Sequence, residues 1–291
     1  DWSRAYHSAM LGVGIDVAAA FSMELQHADP SAGAGLAQRG PAGDPILLPT
    51  PAIQTNFSPT SRDFWKQVYA DLAQTQADAG QTPFLQFGEV QWWYFPSDGL
   101  GLAYSGMPFY DDWSKATFEA ANGRPLATFL TNSADPAAYA DDVAFLAQCI
   151  ADFTTTVIGW VRTAHPTARF EVLYPTDVNQ TAFNQAVNYP ASAWTPANLA
   201  SLKTESFGFT LNRDLNAAAT TIAFGADHGF SRSSRSHLVG IGDATTAWEK
   251  EARMAVGAGF ESVVLFALDQ FCLIGYDAPL SAGLRRSLFM G

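Results

Sequence analysis

The chain has 291 residues, of which 48% are hydrophobic and 15% charged, and its 16 basic against 28 acidic side chains leave a net charge of −12. Such a chain can bury a sizeable core, while an acidic surface repels phosphate backbones and anionic lipid, so nucleic acid and membrane are poor partners. No apolar run approaches the roughly 18–20 residues of a bilayer span, and two cysteines, Cys149 and Cys272, are too few for a disulfide framework.

Residues 2–14 (WSRAYHSAMLGVG) read as a helix ending on glycine, and 16–25 (DVAAAFSMEL) as a strand. The start at Asp1, inside a helical pattern, is expected of a processed chain or of a piece of a larger one. A loop rich in proline and glycine covers 27–60. The stretch 58–80 opens on capping residues, sets Phe64, Val68 and Leu72 on one face and closes on Gly80, which predicts a helix. TPFLQFGEVQWW (82–93) predicts a strand that runs into an aromatic loop over 96–113. A long helix is expected over 136–166 and a strand over 168–179. A short helix at 195–202, a strand at 206–214 and a helix at 215–227 follow. The chain then offers a strand at 237–243, a helix at 245–259, a strand at 262–271 and a last helix at 280–289.

Nearly apolar strands alternating with helices argue for a parallel sheet covered on both faces. Six acids, Glu24, Glu89, Asp177, Asp214, Asp243 and Asp269, fall at or just past the C-terminal ends of the predicted strands. An open sheet would spread them along a line, whereas a barrel gathers them into one ring, on the face where such enzymes build their sites. The sequence therefore predicts an α/β fold of the (β/α)8 type, with residues 1–291 as one barrel domain. About six strand–helix units are visible where a closed barrel needs eight. The first two either lie upstream of Asp1 or are hidden as strands in 27–60.

GEVQWW (88–93) sets one carboxylate between an apolar strand and a run of aromatic rings. Sugar rings stack their C–H faces on indole and phenol rings. Trp92, Trp93 and Tyr94, with Tyr104, Phe109, Tyr110 and Trp113 further along, are candidates for such a surface. Beside aromatic surface a carboxyl is desolvated and its charged form disfavoured, which suits Glu89 to protonate a glycosidic oxygen. Alternate strand residues face opposite ways, so Trp92 and Trp93 share one ligand only if the strand has already ended. Glycoside hydrolysis uses a second carboxylate, and Glu24, Asp243 and Asp269 are the candidates.

If the six strands are the last six of eight, the register resembles that of the (β/α)8 glycoside hydrolases whose acid/base ends strand four and whose nucleophile ends strand seven. The resemblance implies Glu89 as acid/base and Asp243, at the end of strand seven, as its partner. It departs from that group in two places: Gly88 stands where asparagine usually precedes the glutamate, and Asp243 is one methylene shorter than the usual nucleophile. Glu24, on the neighbouring strand, is then an equal candidate. LQFGEVQWW (85–93), GMPFYD (106–111) and FALDQFCLIGY (266–276) are also similar to barrel domains of bacteriophage tail or tail-sheath-like proteins. That resemblance implies a module of a longer chain, extracellular or virion-associated, that cleaves host glycans, binds them or builds the virion.

Other candidates are polar groups near predicted strand ends. Tyr174, Asp177 and Asn179 suit sugar hydroxyls, although Asp177 or Asn179 would equally cap the next segment. Asn212 is a further hydroxyl partner, beside an Arg213–Asp214 pair closing the rim. Lys203 and Glu205 read as a surface or strand-start pair, and His237 as the beginning of a strand. With acids around the mouth and nothing basic placed to receive an anion, an anionic substrate is disfavoured. No His/Cys set has metal spacing, no GxSxG marks a serine hydrolase, and 12–19 (GVGIDVAA) lacks the lysine and spacing of a phosphate loop. No cofactor is called for.

Overall fold

The computed structural model describes residues 2–48, 51–95, 106–241 and 246–267. In chain order the first elements are α1 (Trp2–Gly12), β1 (Ala19–Phe21), β2 (Glu24–Gln26), β3 (Leu47–Leu48), β4 (Ala52–Gln54), α2 (Pro59–Asp78), β5 (Phe84–Phe87) and α3 (Asp112–Asn122). They continue as α4 (Ala140–Ala164), β6 (Arg169–Pro175), α5 (Ala182–Asn188), β7 (Ser201–Glu205) and α6 (Phe207–Leu211). The last are α7 (Leu215–Asp227), β8 (Arg235–Gly240), α8 (Trp248–Gly257) and β9 (Ser262–Phe266).

Strands β1, β5, β6, β7, β8 and β9 form, in that order, a six-stranded sheet that is parallel throughout. Side chains alternate between its faces. Leu85, Phe87, Phe170, Val172, Leu202, Val239 and Val263 are buried beneath the helices, with α2 over β5, α7 over β7 and α8 over β8 and β9. On the other face Ala20, Gln86, Leu173, Lys203, Leu238 and Val264, one from each strand, line a single cavity of ≈ 400 Å³. Six strands reach one cavity only when the sheet curls, so it is the wall of an α/β barrel, as the strand–helix alternation predicts.

The strand expected over 16–25 breaks after Phe21. Its second half is β2, which pairs antiparallel with β4 in a separate three-stranded sheet with β3. Residues 27–60 thus hold strands, but not barrel strands. The strand predicted at 206–214 is in fact α6, and the helix predicted at 195–202 is a turn leading into β7.

Helix α2 starts at Ser58, whose hydroxyl accepts from Ser61 N at 3.3 Å, and ends before Gly80 at a φ of +87°. Its buried face is Trp65, Tyr69, Ala73 and Gln76 rather than the expected Phe64, Val68 and Leu72, and Phe64 is exposed. The larger rings take the sheet side because each also finds a polar partner there. Tyr69 Oη donates to Gln86 O at 3.0 Å, and Trp65 Nε1 donates to Thr55 Oγ1 at 3.0 Å. The segment Pro136–Ala164 is apolar and long enough to cross a membrane by length and composition. Here α4 packs on α2 and α5 and buries Leu146, Ile150, Phe153 and Val157, together with the Cys149 thiol.

Trp92 is a tryptophan with no exposed surface. Phe57 and Phe109 meet it edge-on at ring centroid distances of 4.5 and 5.7 Å, and its indole N–H donates to Leu146 O at 3.2 Å. Trp92→Ala is expected to destabilise the fold by about 3–5 kcal/mol, read as a lower midpoint in urea denaturation, whereas Phe64→Ala on exposed α2 surface should change it little.

Candidate active site

The mouth is shaped where β5 ends. Gly88 N donates to Phe21 O at 2.7 Å, tying β5 to β1, and Val90 N donates to Gly88 O at 2.7 Å. The second bond closes a three-residue turn centred on Glu89. A Cβ on residue 88 would lie 2.5 Å from Phe21 O and 2.8 Å from its carbonyl carbon. Backbone atoms of a paired strand cannot step aside, so this position takes glycine and not asparagine. The turn leaves Glu89 lining the cavity at the C-terminal ends of the strands.

Glu205, the last residue of β7, lines the same cavity. Burial, then the nearby charges of Glu24 and Asp177, raises the Glu89 carboxyl to about 7. Burial, then Glu89, Asp177 and Glu251, raises Glu205 to about 8. Groups that feel each other this way titrate as a pair. Neither has an ion-pair partner among the described residues. The basic residue lining the cavity is Lys203, and it is engaged below them. Its Nζ lies 2.5 Å from Glu171 Oε1 and donates to Gln86 Oε1 at 2.6 Å, while Ser236 Oγ donates to Glu171 Oε2 at 3.0 Å.

On the helix side of the sheet Glu251, fully buried in α8, accepts from the hydroxyls of Ser206 and Thr210. Its Oε1 is 2.8 Å from His237 Nε2, whose Nδ1 is 2.9 Å from Thr204 Oγ1. His237 lies within β8, not at its start.

Of the residues singled out by sequence, Glu89 lines the mouth, and the charge of Asp177 is felt by both Glu89 and Glu205. Asp177 also has a structural task, since its Oδ2 accepts from Gly208 N at 2.6 Å, the start of α6. Burial raises its carboxyl. Glu24 opens β2 instead of ending a barrel strand, yet its charge is felt by Glu89. Asp243 and Asp269, and Tyr104 of the aromatic run, lie outside the described residues. Trp92 is in the core, so both of its faces meet protein. Tyr110 is buried too, its hydroxyl donating to Ala127 O at 3.1 Å. Tyr174 is wholly buried on the helix side of β6.

Asn179 is held by Pro175 O and by Asn188, its Nδ2 donating at 2.8 Å and its Oδ1 accepting at 2.8 Å. Asn212 is exposed and its Nδ2 donates to Gly208 O at 2.9 Å in α6. Asp214 caps α7 through Ala217 N at 3.0 Å. Trp93 and Tyr94 keep part of their rings accessible. Lys203 and Glu205 face the barrel interior, where a surface or strand-start pair was expected; the signal for them was the two-residue spacing at the end of a strand.

The family described as the TIM barrel of the non-contractile tail sheath protein matches residues 1–276. Among curated proteins no sequence matches. The PgaB (BpsB) glycoside hydrolase domain of Bordetella bronchiseptica is similar in structure, with a TM-score of 0.64, 13% identity, and coverage of 97% of this chain and 78% of that one. A cold-adapted β-galactosidase from Rahnella sp. R3 has a TM-score of 0.60 at 15% identity, and the match takes in 91% of this chain but 42% of the enzyme. At these identities the likeness is one of fold.

In the folded protein Glu89 and Glu205 hold protons to about 7 and 8, where the unfolded chain would release them near 4.5. The native state is therefore penalised progressively as pH rises from 4.5 through those values. Glu89→Gln and Glu205→Gln should each stabilise the fold at about pH 9, by on the order of 2–3 kcal/mol, and give no gain near pH 4. Urea midpoints at the two pH values measure this.

Proposed function

The chain belongs to the TIM-barrel family of the non-contractile tail sheath protein, and from that premise we propose that its mouth is a glycoside hydrolase site within a longer tail protein. The reading rests above all on one observation: two strand-end glutamates share one cavity and hold protons into the neutral range. Between about pH 7 and 8 the pair carries close to one proton. One carboxyl is then available to protonate a glycosidic oxygen while the other, ionised, acts on the anomeric carbon or on a water. Glu205 keeps its proton to the higher pH and is the acid of this reading, while Glu89, expected from the sequence as the acid/base, is the ionised carboxylate. The two form the carboxyl pair, in place of a pair with Glu24, which acts on Glu89 through its charge.

The cavity suits a sugar. Phe21, Leu173, Leu238 and Phe266 offer apolar surface to the C–H faces of a ring, and Glu89, Glu205 and Ser22 offer polar atoms to its hydroxyls. A tail location would bring such a site to the polysaccharides of a host surface. The second reading is a barrel that binds glycans or builds the tail without cleaving anything. It is favoured by the burial of Trp92 and Tyr110, which removes two rings from any sugar-binding surface.

Activity against a panel of bacterial surface polysaccharides separates the two. Hydrolysis is expected to follow a bell-shaped pH profile in kcat/KM, falling below about 7 as the base is protonated and above about 8 as the acid ionises. Glu89→Gln should lower kcat by roughly 10²–10⁴-fold while the protein stays folded. Turnover unchanged by Glu89→Gln would remove Glu89 from the chemistry, and turnover absent throughout the panel would leave the non-catalytic reading.

A further inference from the structure

Two residues beyond Glu89, the side chain of Gln91 is 1% exposed, and neither its Nε2 nor its Oε1 has a hydrogen-bond partner among the described residues. On α5, Asn184 is 2% exposed; its Nδ2 donates to Val178 O at 2.9 Å, but its Oδ1 is likewise unpartnered. Both amides line one pocket of ≈ 360 Å³, together with Trp93, Tyr94, Phe95 and Val178. It shares no lining residue with the carboxylate cavity, and its own residues follow the C-terminal ends of β5 and β6.

A buried amide without a partner is penalised by lost solvation, and folded proteins leave few such atoms. Three of them in one pocket form a donor and acceptor set that something entering the pocket would complete. None of the lining residues is charged, so the set matches an uncharged ligand. Water alone would answer the amides, but it has no use for the aromatic wall of Trp93 and Tyr94, which suits the C–H face of a ring. The wall is also held in place. Asn188 Oδ1 accepts from Trp92 N at 2.7 Å and its Nδ2 donates to Trp92 O at 2.9 Å.

We propose that this pocket is a subsite for one neutral sugar residue, recognised by the Gln91 and Asn184 amides against the Trp93 and Tyr94 rings. It takes its ligand class from the carbohydrate reading above and stands independently of whether Glu89 performs chemistry.

The test is a titration of the protein with methyl β-D-glucopyranoside, methyl β-D-galactopyranoside and the methyl glycoside of N-acetylglucosamine, followed by NMR at the Gln91 side-chain amide and at the Trp93 indole N–H, the second of which also reports on the Gln91 variant. A saturable shift is expected with at least one probe. Gln91→Met, of similar shape, should weaken that binding at least tenfold and raise the Tm, because an unpartnered amide has gone. Glu89→Gln should bind as the parent does. No saturable shift with any probe, or binding unaffected by Gln91→Met, would overturn the subsite. A Tm lowered by Gln91→Met would also overturn it, since the amide would then be serving the fold. Binding lost in Gln91→Met alongside an absence of turnover keeps the subsite and removes the hydrolase; turnover with unaffected binding does the reverse.

Discussion

Lys203 lies 2.5 Å from Glu171, with the Gln86 amide on its other side, beneath a mouth ringed by carboxyls. Sequence reasoning held that nothing basic faces the mouth, and a lysine does line it, but its charge is already answered by Glu171. Buried charges persist when paired and hydrogen-bonded, and this pair meets both conditions through Gln86 and Ser236. Glu89 and Glu205 are left desolvated with only acids for neighbours, and their affinity for protons follows from that arrangement. A lysine free to swing upward would draw both carboxyls back toward the ordinary range.

The scaffold was largely legible. Segments with a clear period gave α2, α4, α7, α8 and the strands β5, β6, β8 and β9 close to where they lie. Strand β7 was not legible, for a physical reason. Its inward positions are Ser201, Lys203 and Glu205, the polar lining of a barrel, so only Leu202 shows the apolar signal of a strand. The apolar residues just after it, Phe207, Phe209 and Leu211, drew the strand assignment onto what is α6. Glu205 was for that reason read with Lys203 as a surface or strand-start pair and not as a strand-end acid. Residue type alone also could not separate Trp92, buried among Phe57 and Phe109, from the partly accessible Trp93 beside it. That distinction is made by which ring meets the core once the strand has turned at Gly88.

Barrels of this architecture carry many chemistries, so likeness of fold says little about reaction. The local geometry is more informative. Gly88 allows β1 and β5 to approach, the tight turn after it places Glu89, and the polar face of β7 supplies Glu205. Each feature has a cost to the fold, since desolvated carboxyls and a backbone position restricted to glycine add nothing to packing. Sites that bind or react commonly carry such local penalties.

Phe95 and Gly106 are hydrogen-bonded to each other in both directions, Phe95 N to Gly106 O at 3.1 Å and Gly106 N to Phe95 O at 2.8 Å. Residues 95 and 106 are thus clamped to each other, and Asn188 braces the backbone at Trp92 close by in sequence. Because both bonds run between backbone atoms, the junction does not depend on which side chain residue 95 carries.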